Sequence, residues 1–153
     1  MSDLHPAEAE HMRVRASQMK PVPAAPWITP KPLRESRVAI LSTAGLHRRT
    51  DPPFIAGATD FRIIPEDVDW ADMIMSHIST NFDRSAFQQD TNIWFPLDRL
   101  REMAKDGEIG SVADWHYSIM GAQPSLPALG PSGEEIGALL AKDEVDIALL
   151  IPV

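Results

Sequence analysis

The first strongly apolar stretch of the chain is Arg37 to Ser42 (Arg-Val-Ala-Ile-Leu-Ser), and it reads as a buried strand. It runs into Ser42-Thr43-Ala44-Gly45-Leu46-His47, a small-residue turn ending in polar groups, and then into a loop from Arg48 to Phe54. Phe61 to Ile64 predicts a short strand closed by Pro65. Asp72 to Ile78 predicts another strand, followed by a polar stretch from Ser79 to Arg84. Pro96 to Asp106 predicts a helix. Pro96 suits its first position, Leu97, Leu100 and Met103 share one face, and Gly107 suits the stop. Trp115 to Met120 fits strand better than helix. Ser132-Gly133-Glu134-Glu135 matches a capping box opening a helix with Ile136, Leu139 and Leu140 on one face, ending near Lys142. Val145 to Val153 is almost continuously apolar, the pattern of a strand buried on both faces. Helix followed by strand, repeated, predicts an α/β fold: layered α/β/α with a mostly parallel sheet, in an incomplete domain.

The N-terminal region differs. Residues 4–20 are polar, with weak helical spacing at Leu4, Met12 and Met19. Pro21 to Pro32 holds five prolines in twelve residues and predicts an extended arm. Trp27 in that arm reads as the anchor of a strap across the domain, or as part of an arm embracing a partner chain. The division is residues 1–33, helix and arm, and residues 34–153, the α/β domain.

A length of 153 residues suits one such domain. The net charge of −8 argues against nucleic acid or an anionic membrane surface as partner. No apolar run approaches the roughly 20 residues of a membrane span, and the N-terminus has no secretory pattern, so a cytoplasmic location is expected. The chain has no cysteine, which removes disulfides, thiolate metal sites and a cysteine nucleophile from this stretch.

Three constellations carry candidate chemistry. The turn after the first strand places Thr43 and Gly45 where backbone amides can approach an anion. His47 there can shuttle protons and Arg48 can hold a carboxylate or phosphate. The plainer reading is a tight turn and a solvated basic loop. The segment from Ser76 to Asp83 crowds polar groups at a strand end: His77 with Asp83 forms a candidate acid/base pair, with Ser79 and Asn81 as binding groups. Capping by Ser79, Asn81 and Asp83 competes with that role. The third, His116 beside Trp115 and Tyr117, reads more readily as a packed histidine than as a binding group. No histidine pair has the spacing of a helical zinc site, so no metal is assigned. There is no Gly-x-Ser-x-Gly elbow either.

Six segments taken in order carry a family resemblance. They are Arg37 to His47 with Asp51-Pro52-Pro53-Phe54; Phe61 to Pro65; Ser76 to Ser79 with Asn81-Phe82-Asp83; Asp90 to Leu100; Gly107 to Gly110; and Ser118 to Gly121. Together they resemble the glycine/sarcosine/betaine reductase component B family, which includes the selenium-containing subunit of D-proline reductase. The resemblance implies an oxidoreductase that cleaves a C–N bond of an amino acid or amine, with a disulfide as acceptor. It implies a selenocysteine or cysteine just beyond Val153, and reading stopped at an in-frame UGA. The rival is a short protein that has lost that residue. It also implies a partner subunit carrying a pyruvoyl group, a thiol or selenol redox partner, and an oligomer. His47, His77 and Asp83 are then candidate catalytic groups, with Thr43, Gly45, Arg48, Ser79, Asn81 and His116 as candidate substrate contacts. A non-catalytic scaffold of the same fold and a metal-dependent enzyme using His47, His77 and His116 are the competing readings.

Overall fold

The computed structural model describes residues 5–18, 27–78, 85–121 and 126–153. Its elements are α1 (Pro6–Gln18), β1 (Arg37–Ser42), β2 (Leu46–Arg48), β3 (Phe61–Pro65), β4 (Met73–Met75), α2 (Ser85–Gln89), α3 (Leu97–Lys105), β5 (Ser111–Val112), β6 (Trp115–Ile119), α4 (Gly130–Lys142) and β7 (Ile147–Ile151). β1 is central. Along one edge it pairs in parallel with β5 and then β6; along the other it pairs in parallel with β7, from Val38–Ile147 to Ser42–Ile151. β3 closes the far side antiparallel to β6, and β2 with β4 forms a separate two-stranded ribbon.

Helices lie on both faces. Val38 and Ile40 point to the face where Trp94, Phe95, Leu97 and Leu100 form the main core. Tyr117 and Ile63 are paired on the opposite face, where Leu139 and Lys142 of α4 line a groove with them. Parallel crossovers are right-handed, so reversing the direction of travel across a sheet moves the connecting helix to the other face. The chain passes from β1 to β5 and β6 through α3, then returns past β1 to β7 through α4. The layered α/β/α expectation and the mostly parallel sheet are therefore met.

α3 ends as its glycine predicts. Gly107 has φ +73°, its amide donates to Ala104 at 3.2 Å, and the Glu108 amide donates to Met103 at 2.9 Å. These are the two bonds of a Schellman stop. Pro96 sits at the N-cap, and Leu97 takes the first helical position expected for Pro96.

Several expectations need correction. β7 is not buried on both faces: Leu149 is 36% and Leu150 64% exposed. Among the described residues it pairs only with β1, and a strand with one neighbour keeps an edge and parts of its faces open. Leu46 to Arg48 is a strand, not turn and loop, because Leu46, His47 and Arg48 pair with Met75, Ile74 and Met73. The strand expected over residues 72–78 shrinks to Met73–Met75, since Asp69 caps a 3₁₀ turn over Trp70–Asp72 by accepting the Ala71 amide. α4 begins at Gly130, not at a Ser132 capping box. The Ser132 hydroxyl instead donates to the Thr59 carbonyl at 2.6 Å. Trp27 anchors nothing: its side chain is fully exposed.

Candidate functional site

The carboxyl ends of β6, β1 and β7 meet around Thr43, and in open α/β sheets ligands gather at such ends. The Thr43 amide donates to the Ile151 carbonyl at 3.0 Å. Its hydroxyl accepts the Val153 amide at 2.8 Å and donates to the Val153 carbonyl at 3.2 Å. Its carbonyl accepts the Gly121 amide at 2.9 Å and faces His77 Nδ1 at 3.2 Å. His77 is buried, and its Nδ1 contact to a carbonyl requires the proton on that nitrogen.

Two glycines make this convergence possible. Gly45 has φ +64°, so its amide reaches the Ile119 carbonyl at 3.0 Å and its carbonyl accepts the Ser76 amide at 2.9 Å. A Cβ on Gly121 would lie 2.8 Å from His77 Cε1, 2.9 Å from the Thr43 carbonyl oxygen and 3.2 Å from the Val153 carbonyl oxygen. Residue 121 has no room for a side chain, since a Cβ would collide with the imidazole edge and the Thr43 carbonyl.

His47 lies one step away. It is buried, with Nδ1 2.8 Å from the Arg48 carbonyl and Nε2 2.8 Å from the Ser76 hydroxyl. The carbonyl fixes the proton on Nδ1, so in the neutral ring Nε2 accepts from Ser76. Phe54 packs edge-on at 6.3 Å. His47 thus connects to His77 through Ser76, the residue before it.

Arg48 points elsewhere. Its amide and Nε donate to one Asp51 oxygen at 2.9 and 3.2 Å, and Nη2 donates to the other at 3.0 Å. These bonds raise the Arg48 pKa. Burial pushes the Asp51 carboxyl up, but the bonds from Arg48 outweigh it and hold Asp51 below its ordinary value. The guanidinium is therefore already engaged within its own loop.

His116 serves the core. It is 0% exposed, its Nδ1 accepts the Ile40 amide at 3.0 Å, and Phe95 packs against it at 86°. The imidazole supplies the acceptor Ile40 lacks where β1's partner breaks between β5 and β6. Burial, then the positive charge of Arg101, lowers its pKa from 6.5 to about 4. An imidazole with no exposed surface has no face to offer a substrate.

Of the residues singled out in the sequence, the structure brings together Thr43, Gly45 and His77, with His47 adjoining. Arg48 and His116 lie apart. Ser79, Asn81 and Asp83 fall outside the described residues. Gly121 was missed as a site residue, although a glycine directly following a strand was the available signal. Among the described residues no cluster of three or more His, Asp or Glu side chains is arranged to hold a metal ion. Nor is any helix among them long and apolar enough to cross a membrane.

These features define an α/β protein whose polar groups converge at the carboxyl ends of adjacent parallel strands. The chain belongs to the glycine/sarcosine/betaine reductase selenoprotein B family, whose sequence profile matches residues 8–152. The match takes in most of α1 and the proline-rich arm, which the sequence motifs left out. D-proline reductase subunit gamma of Acetoanaerobium sticklandii is 34% identical over 134 residues, 85% of this chain and 54% of that protein. Betaine reductase complex component B subunit beta of Peptoclostridium acidaminophilum is 29% identical over 120 residues, 76% of this chain and 28% of that one. Glycine reductase complex component B subunit gamma of Carboxydothermus hydrogenoformans is 25% identical over 138 residues, 85% and 32% respectively. The chain therefore spans about half the length of the first relative and about a third of the others. These relatives are subunits of reductase complexes. No solved structure matches the chain.

Proposed function

We propose that this chain is the strand-end scaffold of a selenium- or thiol-dependent reductase subunit that cleaves a C–N bond of an amino acid or amine-type substrate in the cytoplasm. The observation that carries the reading is the pinning of the β7 end by Thr43 beside His77. A residue following Val153 would emerge at the shared carboxyl edge of the sheet, next to a proton-handling imidazole.

The groups at this edge fit a nucleophile there: the imidazole of His77, and a hydroxyl that holds the Val153 backbone. When present, a selenocysteine or cysteine after Val153 would supply an ionised nucleophile, and a pyruvoyl group on a partner subunit would activate the substrate amine. The net reaction consumes two electrons and two protons: carbon and nitrogen each gain a hydrogen, and a dithiol partner becomes a disulfide. His77 holds or releases a proton at its ring, its Nδ1–H fixed by the Thr43 carbonyl. His47 and Ser76 keep the neighbouring backbone in place through their own hydrogen bond. Thr43 orients the backbone at Val153.

Reconstitution tests this. The full coding frame is expressed in a selenium-incorporating host and purified with its complex. Dithiol oxidation is then followed with glycine, sarcosine, betaine and D-proline in turn. Substrate-dependent consumption of one dithiol per C–N bond is expected. No consumption with any of the four, or a UAA or UAG codon directly after Val153, would sink the reading.

A further inference from the structure

Two features of the chain find no partner among its described residues. The first is Trp27. Tryptophan is highly buried on average, yet Trp27 is 100% exposed and its neighbour Ile28 75%. The arm that carries them is rooted in the domain. Lys31 Nζ lies 2.7 Å from an Asp146 oxygen, and the Pro32 carbonyl accepts the Glu35 amide at 2.8 Å and the Ser36 hydroxyl at 3.1 Å. Pro30 and Pro32 stiffen the segment above that root, and the four residues back to Trp27 span up to about 14 Å. The second feature is the groove between β3, β6 and α4, about 450 Å³ in volume and walled by Ile63, Trp115 and Leu139. Ile63 and Trp115 leave apolar surface open along it. Tyr117 lies deepest, 1% exposed, and its hydroxyl makes no hydrogen bond among the described residues. Burial, then the negative charge of Asp143, raises its pKa, so it stays a neutral hydroxyl. A buried tyrosine hydroxyl ordinarily has a partner.

The two features match chemically. An indole is flat and apolar with one N–H donor, and the groove is apolar with one unused oxygen at its base. Both belong to one chain and stay apart in it, since the rooted arm carries Trp27 into solvent and not onto its own domain. We propose that Trp27 of one copy docks into the groove of a second copy, its Nε1–H donating to the Tyr117 hydroxyl, and that the exchange is reciprocal about a two-fold axis. A reciprocal exchange of this kind closes as a dimer. Each docked tryptophan removes about 150–250 Å² from water, and a stiff arm loses little freedom on docking. An interface this small gives a weak dimer whose population follows concentration.

Sedimentation velocity of the full chain between about 1 and 200 µM tests this, in the natural sequence and with Leu150→Lys, which blocks pairing along the β7 edge. Both should show a monomer–dimer equilibrium. In the Leu150→Lys chain, Trp27→Ala should raise the dimer dissociation constant at least about tenfold, and Tyr117→Phe about threefold. The two changes together should cost no more than Trp27→Ala alone, because they break one contact. Trp27 is fully exposed, so Trp27→Ala should leave the urea midpoint of the dilute chain unchanged. Trp115→Glu, at a half-exposed wall of the groove beside Asp114 and Asp143, should also weaken the dimer. A mixture of Trp27→Ala and Trp115→Glu chains restores one intact arm and one intact groove, and should associate more strongly than either variant alone. A Leu150→Lys chain that stays monomeric at the highest concentration overturns the proposal. So does a Trp27→Ala chain that dimerises as well as its parent, or a mixture no more associated than its components.

Discussion

Replacing His116 with Asn separates its hydrogen bond from its charge. The imidazole is fully buried, its Nδ1 accepts the Ile40 amide at 3.0 Å, and its pKa falls from 6.5 to about 4, chiefly through burial and secondarily through Arg101. The unfolded chain therefore takes up this proton first as the pH drops. The stability at stake is fully present above pH 6.5 and is lost as the pH falls through the window down to about 4. At about 1.4 kcal/mol per pH unit, that interval corresponds to about 3 kcal/mol. The Asn side-chain oxygen can occupy the Nδ1 position and accept the Ile40 amide, but it does not titrate. Urea unfolding at pH 7, 6, 5 and 4.5 should show the natural chain losing stability faster than His116→Asn. The two chains share their carboxylates, so acid effects of Asp and Glu cancel in the difference. His116→Phe should cost about 1–3 kcal/mol at pH 7, because it strands the Ile40 amide in the core. Parallel pH dependence of the natural chain and His116→Asn would refute the reasoning, since the buried ring would then not be held neutral.

Gly121→Ala should lower the unfolding free energy by about 1–3 kcal/mol in urea melts, because the new methyl meets the Thr43 carbonyl oxygen at 2.9 Å, a backbone atom that cannot swing aside. Gly45→Ala should cost about 1 kcal/mol by the same assay: its φ of +64° carries the penalty, while its tightest neighbour is the flexible end of Met120. Arg37→Met removes donors to the Asp143 and Val112 carbonyls at 2.8 and 2.9 Å and the ion pairs to Asp143 and Asp114 at 2.6 and 3.0 Å; a loss of about 2–4 kcal/mol should appear in thermal or urea unfolding. Leu150→Lys places a charge on the exposed edge strand, and sedimentation velocity should show less self-association with stability changed by under about 1 kcal/mol.

The apolar runs made β1, β3, β6 and β7 legible in the sequence, and Leu97 with Leu100 and Gly107 made α3 legible. What pattern could not show was which strand lay at an edge. The run from Val145 to Val153 looks like a central strand, yet its neighbours depend on pairing across more than a hundred residues, and the pairing leaves Leu150 open. The three-residue ribbon of Leu46–Arg48 with Met73–Met75 is too short to carry a period. Ser132 matched a capping box locally, but the Thr59 carbonyl took its hydroxyl, a tertiary partner beyond any window. At the site, Thr43, Gly45 and His77 were visible as polar or small residues at strand ends. Gly121 was equally visible as a glycine after a strand, but its importance lies in the approach of segments distant in sequence, which no local signal gives.

Polar density at a strand end is a poor guide to chemistry here, and the hydrogen bonds explain why. Buried amides require acceptors wherever a ladder stops. The Ile40 amide is taken by His116, the Leu46 amide by the Ser118 hydroxyl at 2.7 Å, and the Ala44 amide by the Ser42 hydroxyl at 3.2 Å. Asp146 takes the Arg37 amide at 3.0 Å, and Asp143 takes the amides of Asp114 and Trp115 at 3.0 and 3.2 Å. Each of these side chains completes a sheet edge or a strand break. The same accounting would assign Thr43 to structure, since it takes the Val153 amide. What sets Thr43 apart is its second attachment: the carbonyl of the same residue faces the ring of His77. A residue needed only to finish a ladder has no reason to hold an imidazole in the same frame. That coupling of backbone to ring, rather than the number of polar groups, is the ground for proposing chemistry at the strand end around Thr43.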